Sequence, residues 1–283
     1  QPPAAKPIAT LRGFSDWVTS VAFSPDGKTL AAGSYEVVKL FEVKTRKSIA
    51  TFEITGFAKA LSFSPDGKLL ASGSYQTVDV WDVASKKRVL APKGHRGYVG
   101  DVVFSPDGKT LATASEDETV RLWSIPDGKP GRVFEGFEMP INGVAFSPDG
   151  KLLATAIGDE TRVTKPGEIK VWNIASGELV HELVAHEKVA NSVTFSPDGK
   201  LLISTSDDEK VNVYDVTSGK ALGFFDGHGR ATNQALFSPD ASIVLSAAGG
   251  RAKGKNDVKI WTRVDGQEVT TLTGHKGAIN DIA

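Results

Sequence analysis

Short segments of apolar or alternating character, divided by polar turns, run along the whole chain. In the first repeat they read VTSVAF (18–23), TLAAGS (29–34) and VKLFEV (38–43). Five or six positions of this pattern match the length and period of strands, and no segment keeps the 3.6-residue period of an amphipathic helix. Counterparts of the third segment return as VDVWDV, VRLWSI, IKVWNI, VNVYDV and VKIWTR. A fourth, seen as KSIATF, ELVHEL, KALGFF or EVTTLT, closes the unit. Between the first two segments stands one turn, SPDGK, beginning at 24, 64, 105, 147 and 196, with a decayed copy, SPDAS, at 238. Proline presets φ, aspartate tolerates the next position and glycine supplies positive φ, so each copy predicts a hairpin.

The phenylalanine before each turn stands at 23, 63, 104, 146, 195 and 237, a period of 40 to 49 residues. Four strands per period, a Gly-His approach and the exits VWD (80–82), LWS (122–124), VWN (171–173) and IWT (260–262) resemble the WD-repeat family of β-propellers, in its bacterial form with FSPDGK repeats. The resemblance covers Ile8 to Ala283 and implies an all-β propeller of four-stranded antiparallel blades. PIATLRGF near the start matches SIATFEITGF, which makes Ile8–Leu11 an outer strand, and TGHKGAINDIA at the end matches the first inner strand. The expectation is therefore six complete blades plus the inner and outer strands of a seventh. The single propeller domain spans 8–283, is C-terminally incomplete, and follows a Pro/Ala-rich tail at 1–7.

Composition narrows the function classes. The 283 residues include 33 basic and 34 acidic side chains, for a formal net charge of -1, so no global field favours nucleic acid. No apolar run reaches the ~18 residues of a membrane helix, and a soluble protein without membrane insertion is expected. The absence of cysteine excludes disulfides and thiolate chemistry. The only methionine is Met139, and Gln1-Pro-Pro reads as a terminus left by processing. Removal of an export signal, giving a periplasmic or extracellular protein, is preferred over a cytoplasmic one; a piece of a longer chain is the alternative.

His95, Ser115, Asp117 and Trp123 stand where the resemblance places a hydrogen-bond relay within a blade, and His186, Ser206, Asp208 and Tyr214 repeat it. No nucleophile elbow surrounds Ser115, so a staple is expected instead of a hydrolase triad. In the first two repeats Phe14 and Phe57 take the histidine's place, and the hairpins SYEVVK and SYQTVD lack the aspartate. HELVAH (181–186) imitates a zinc-protease helix, but its histidines are five apart on a strand and point to opposite faces. AAGGRAKGKND (247–257) lacks the Gly-Lys-Ser/Thr ending of a phosphate loop and joins two strands. No metal and no other cofactor is expected.

Strand alternation sends the second-to-third-strand loops and the loops approaching each inner strand to one face. Trp17, Phe57 and Tyr98 precede inner strands, and Tyr35 and Tyr75 lie in the short hairpins, so five aromatics gather on the first three repeats. At the inner-strand start the later repeats place Asn142, Asn191, Asn233 and Asn280 where the first three have Thr19, Lys59 and Gly100. The long loops GDETRVTKPGE and AGGRAKGKND add Arg162, Lys165, Arg251, Lys253 and Lys255. This face is expected to bind a protein or peptide without catalysis. The competing expectation is a small-molecule-binding or metal-dependent enzyme at the channel mouth; a third is that aromatics and amides only fill local gaps. Phe23, Phe63 and Phe104 are the expected core positions.

Overall fold

A computed structural model describes residues 7–161, 165–250 and 256–283. Its regular structure is entirely β among these residues, and the chain divides into two compact units, Leu11–Phe146 and a second formed by Ser147–Ile282 with the residues up to Thr10.

The first unit begins with β1 (Ser20–Phe23), β2 (Thr29–Glu42) and β3 (Ser48–Phe57), paired in that order. β2 is a hairpin written as one strand. Its early arm pairs with β1 through Leu30–Gly33, its late arm pairs with β3 through Val37–Phe41, and the Val43 amide donates to the Lys28 carbonyl at 2.9 Å. The reversal happens at Tyr35-Glu36, with Glu36 at φ 57°. The first repeat thus has four strand segments, as expected. The next sheet comprises β4 (Ala60–Phe63), β5 (Leu69–Gly73), β6 (Val78–Asp82) and β7 (Lys87–Leu90), followed by β8 (Val99–Phe104), β9 (Thr110–Ser115), β10 (Val120–Ser124) and β11 (Pro130–Phe134), both antiparallel and in chain order. β12 (Ile141–Phe146) ends the unit.

The second unit carries β13 (Leu152–Ile157), β14 (Gly167–Asn173) and β15 (Leu179–His186). Two four-stranded antiparallel sheets follow: β16 (Ala190–Phe195), β17 (Leu201–Ser206), β18 (Val211–Asp215) and β19 (Ala221–Phe225), then β20 (Thr232–Phe237), β21 (Ile243–Ala248), β22 (Asp257–Thr262) and β23 (Glu268–Thr273).

Each SPDG hairpin closes as its residues require. Ser24 donates its hydroxyl to Asp26 Oδ1 at 2.7 Å, Asp26 also accepts the Lys28 amide, and the Thr29 amide donates to Ser24 Oγ. The turn glycines 27, 67, 108, 150 and 199 lie at φ 67–70°, and Ala241 is forced to φ 55° in the sixth copy. Every turn aspartate is held below its ordinary pKa, first by the serine hydroxyl two residues earlier.

The core lies between successive sheets. Phe63 packs with Val38, Leu40 and Phe52 of the preceding repeat, and Phe104 with Ala71, Val78 and Val80 of the one before it. In the second unit Phe237 packs on Ile203, Val211 and Phe225. Phe23 departs from the expectation and is 44% exposed, because no repeat precedes it within its unit. The expected strand pair of a seventh blade also does not form: Ile8–Leu11 and the segment after Thr273 carry no strand, and Ile8 is exposed.

Candidate functional site

In the first unit the short hairpins and the loops approaching the inner strands come together. Tyr35 pairs with Phe57 across the β2–β3 ladder, and their rings meet edge to face at 5.0 Å. One repeat later Tyr75 bridges Tyr98 with the same ring geometry, again at 5.0 Å. Gln76 anchors this second contact, its amide donating to the Gly97 carbonyl and its side chain to the Arg96 carbonyl. Lys59 holds its Nζ 5.5 Å from the Tyr98 ring centroid. Trp17 is 64% exposed, Tyr35 42% and Tyr75 46%, whereas Phe57 and Tyr98 are half-buried behind them. The Tyr35 phenol is held above its ordinary pKa by its hydrogen bond to Glu36, then by the charges of Glu36, Tyr98 and Asp16. Four of the aromatics of the first three repeats thus form two edge-to-face pairs, and Trp17 stands exposed on the approach loop of the first repeat.

The inner-strand start shows a different use. Thr19 donates its hydroxyl to the Ala58 carbonyl at 2.6 Å, Asn191 its amide to the Thr232 carbonyl at 3.1 Å, and Asn233 its amide to the Ile279 carbonyl at 2.7 Å. Each reaches the same backbone position of the next repeat. Asn191 also donates to Asp207 Oδ1 and Asn233 to the Gly249 carbonyl. At Gly100 an added Cβ would stand 3.4 Å from the Ile141 carbonyl, the corresponding atom. Asn191 and Asn233 therefore serve as laces between neighbouring sheets, the local role weighed against binding. Asn142 is half-buried and Asn280 exposed at their own strand starts, and Lys165 is half-buried. Arg162, Arg251, Lys253 and Lys255 lie outside the described residues.

Behind the face stand the relays. His95 Nδ1 meets Asp117 Oδ2 at 2.9 Å and His95 Nε2 meets Thr113 Oγ1 at 2.7 Å, while Trp123 Nε1 donates to the same Thr113 oxygen at 2.9 Å. The carboxylate can only accept, so Nδ1 carries the proton and Nε2 accepts from threonine. Asp117 also caps the Arg96 amide at 2.8 Å, which ties the approach loop to the hairpin. Burial would raise the Asp117 pKa, but the bonds from His95, Thr119 and Arg96 lower it. The blade is stapled from loop to hairpin to third strand.

The sequence profile described as WD domain, G-beta repeat matches residues 5–42, 46–82, 86–124, 128–173 and 177–215. The chain belongs to the WD-repeat family. Comparison with curated proteins finds no match. WD-repeat domains generally serve as platforms for protein partners and are typically without enzymatic activity.

Within this WD-repeat chain the relay differs from its sequence reading in one respect. Ser115 is not its hydroxyl; Ser115 Oγ accepts the Asp117 amide at 3.1 Å, two residues along the strand from Thr113. In the fifth repeat His186 Nε2 likewise meets Ser204 at 2.7 Å, and Ser206 caps the Asp208 amide. Tyr214 stands in the place of the tryptophan there, its hydroxyl bonded to Ser204 as well as to Asn212 and the Ala185 carbonyl. A third relay escaped sequence reading: His228 with Asp257 at 2.8 Å and Ser246 at 2.6 Å, and Trp261 Nε1 on Ser246 at 2.8 Å. Gly227-His228 was its signal, obscured because the long loop shifts the aspartate toward the third strand. Burial pushes the His228 pKa down, against the pull of Asp257.

The histidine level of the second repeat is taken by Ile54, which packs in the cluster of Phe52 and Trp81. Phe57 sits at the level of Tyr98, as their matching bridges to Tyr35 and Tyr75 show, so it replaces no histidine. In place of the missing aspartate cap, Ser74 donates its hydroxyl to the Thr55 carbonyl. The two histidines of HELVAH have separate partners, the Val216 carbonyl for His181 and the relay for His186. A cleft of about 290 Å³ lined by Pro166, Glu187, Lys210, Asn212 and Phe224 borders that relay; Lys210 lies over the Phe224 ring at 5.4 Å. Among the described residues no group of three His, Cys, Asp or Glu could hold a metal, and no helix is long and apolar enough to cross a membrane.

Proposed function

We propose that this chain is a non-catalytic protein- or peptide-binding scaffold. Its contact surface is the face of approach loops and second-to-third-strand hairpins, centred on Trp17, Tyr35 and Tyr75 with Phe57 and Tyr98 packed behind. The observation that carries the reading is the exposure of three large aromatics supported by two edge-to-face ring pairs. Rings held rigidly at a surface lose little entropy on binding and commonly dominate interface energy. The burial of the relay hydroxyls favours a structural role for them: Thr113, Ser204 and Ser246 are fully buried. An enzyme nucleophile must reach its substrate. Lys59 is a contact at the margin of this surface. The FSPDGK hairpins are read as the bacterial form of the repeat.

Selection of a random peptide-display library on the full chain tests the proposal. Enriched peptides are expected to lose at least about tenfold in affinity for Trp17→Ala, Tyr35→Ala, Tyr75→Ala, whose melting transition stays within a few degrees of the parent because surface changes usually stay within ~0.5 kcal/mol. Phe104→Ala, opening the core, should lower stability by about 3–5 kcal/mol. No enrichment, or equal affinity for the triple variant, would overturn the docking reading.

A further inference from the structure

The aromatic surface of the first unit lies among acids. Its approach loops and short hairpins bring Asp16, Glu36, Glu116, Asp117, Glu118, Glu135 and Glu138, against Arg12, Lys59, Lys93 and Arg96 as their bases. Hydrogen bonds join these segments to one another. The Ala58 amide donates to the Ser34 carbonyl, the Gln76 amide to Gly97, and the Glu116 amide to Tyr98, so the carboxylates follow the aromatics from repeat to repeat. Asp16 and Glu36 are both exposed, and among the described residues neither has a lysine or arginine at ion-pair distance. Asp16 accepts the Trp17 amide at 2.7 Å, which sets a carboxylate beside the most exposed ring of the patch.

We propose that this face takes a cationic peptide segment, an arginine or lysine side chain lying across Trp17 and Tyr35 with its charge toward Asp16 and Glu36. The proposal deepens the docking reading and rests on it. Ring faces carry negative quadrupole potential, and nearby carboxylates add to it, so a flat guanidinium or an ammonium is the complementary group. One instance is already built into the chain: the Lys59 ammonium rests over the Tyr98 ring. The raised Tyr35 pKa reports the same negative surroundings. An acidic segment would meet like charge here, which disfavours it as an occupant.

The test uses the full chain and three fluorescein-labelled nine-residue peptides: alternating glycine and arginine, the same with citrulline, and the same with glutamate. Fluorescence anisotropy should show binding of the arginine peptide, weakened by salt, and at least roughly tenfold weaker binding of the other two. Asp16→Asn with Glu36→Gln keeps the oxygen acceptors for the Trp17 amide and the Tyr35 phenol, and should weaken the arginine peptide by a similar factor without moving the melt. Glu178→Gln with Glu187→Gln, an equal change of charge in the other unit, should leave it unchanged. Failure of the arginine peptide to bind, or equal binding by D16N/E36Q, would overturn the cationic assignment. If library peptides still depend on Trp17, Tyr35 and Tyr75 in that case, the docking reading survives alone. Arginine binding lost in D16N/E36Q but kept in the triple aromatic variant would overturn both.

Discussion

Thr113 receives the Trp123 indole and donates to His95 from a fully buried position, so its hydroxyl has no substitute in water. Thr113→Val keeps the shape and deletes both bonds. We expect a loss of about 1–3 kcal/mol for each polar group left unpaired, measured by urea unfolding. Ser115→Ala, which removes one acceptor for the Asp117 amide, should cost only about 1 kcal/mol. Equal losses would contradict the relay. Sequence could not choose between these two residues: they are separated by one strand period and share a face, and the choice depends on how deeply the histidine ring reaches. Ala241 was more legible. Its φ of 55° is the left-handed value that glycine holds in the other five turns. Ala241→Gly should stabilise by at most ~1 kcal/mol in a thermal melt, limited by loss of a buried methyl; a lowered midpoint would show that packing outweighs backbone strain.

Among elements, the hairpins between second and third strands vary most. The first has three residues between its serine and the first valine of the third segment, Tyr35 to Val37, where the third has four, Glu116 to Thr119. The shortening removes the relay aspartate and puts tyrosine at the turn, so the aromatic surface and the missing staple share one cause. Close approach of neighbouring sheets compensates. A Cβ on Gly73 would lie 2.7 Å from Val99 Cγ1 and 2.9 Å from its carbonyl oxygen. Gly73→Ala should therefore destabilise by about 1–3 kcal/mol, read from the denaturation midpoint, although its φ is not positive. An unchanged midpoint would show that β8 can yield. Turn chemistry made strand number and order readable from the chain. The lacing by Thr19, Asn191 and Asn233 was not, because a polar residue at a strand start looks the same whether it faces a ligand or a neighbouring carbonyl.

For the molecule as a whole, the six turn aspartates predict acid sensitivity with a definite sign. Their folded pKa values lie below the ordinary 3.8, and that of Asp240 falls to about 2 through its bonds from Ser238 and the Ser242 amide. A lowered folded pKa stabilises the protein above the unfolded value, and this contribution is lost as pH falls through the folded one. The melting midpoint should drop between about pH 4 and pH 2, and Asp240→Asn should flatten that drop. A profile unaffected by the substitution would assign acid sensitivity elsewhere.

The sequence by itself determined the all-β class, the repeat boundaries, the turn geometry and the third-strand aromatics, because these depend on local backbone preference and the two-residue alternation of strands. It also pointed to Trp17, Tyr35, Phe57, Tyr75 and Tyr98. Only the tertiary structure decided which hydroxyl joins each relay, that Ile54 stands at the histidine level, that Phe23 is exposed, and that the Asn191 and Asn233 amides bind neighbouring carbonyls. Those outcomes depend on which residue of another repeat comes within hydrogen-bond or packing distance. Distances between residues some forty positions apart are set by how successive sheets pack, and no local pattern encodes them.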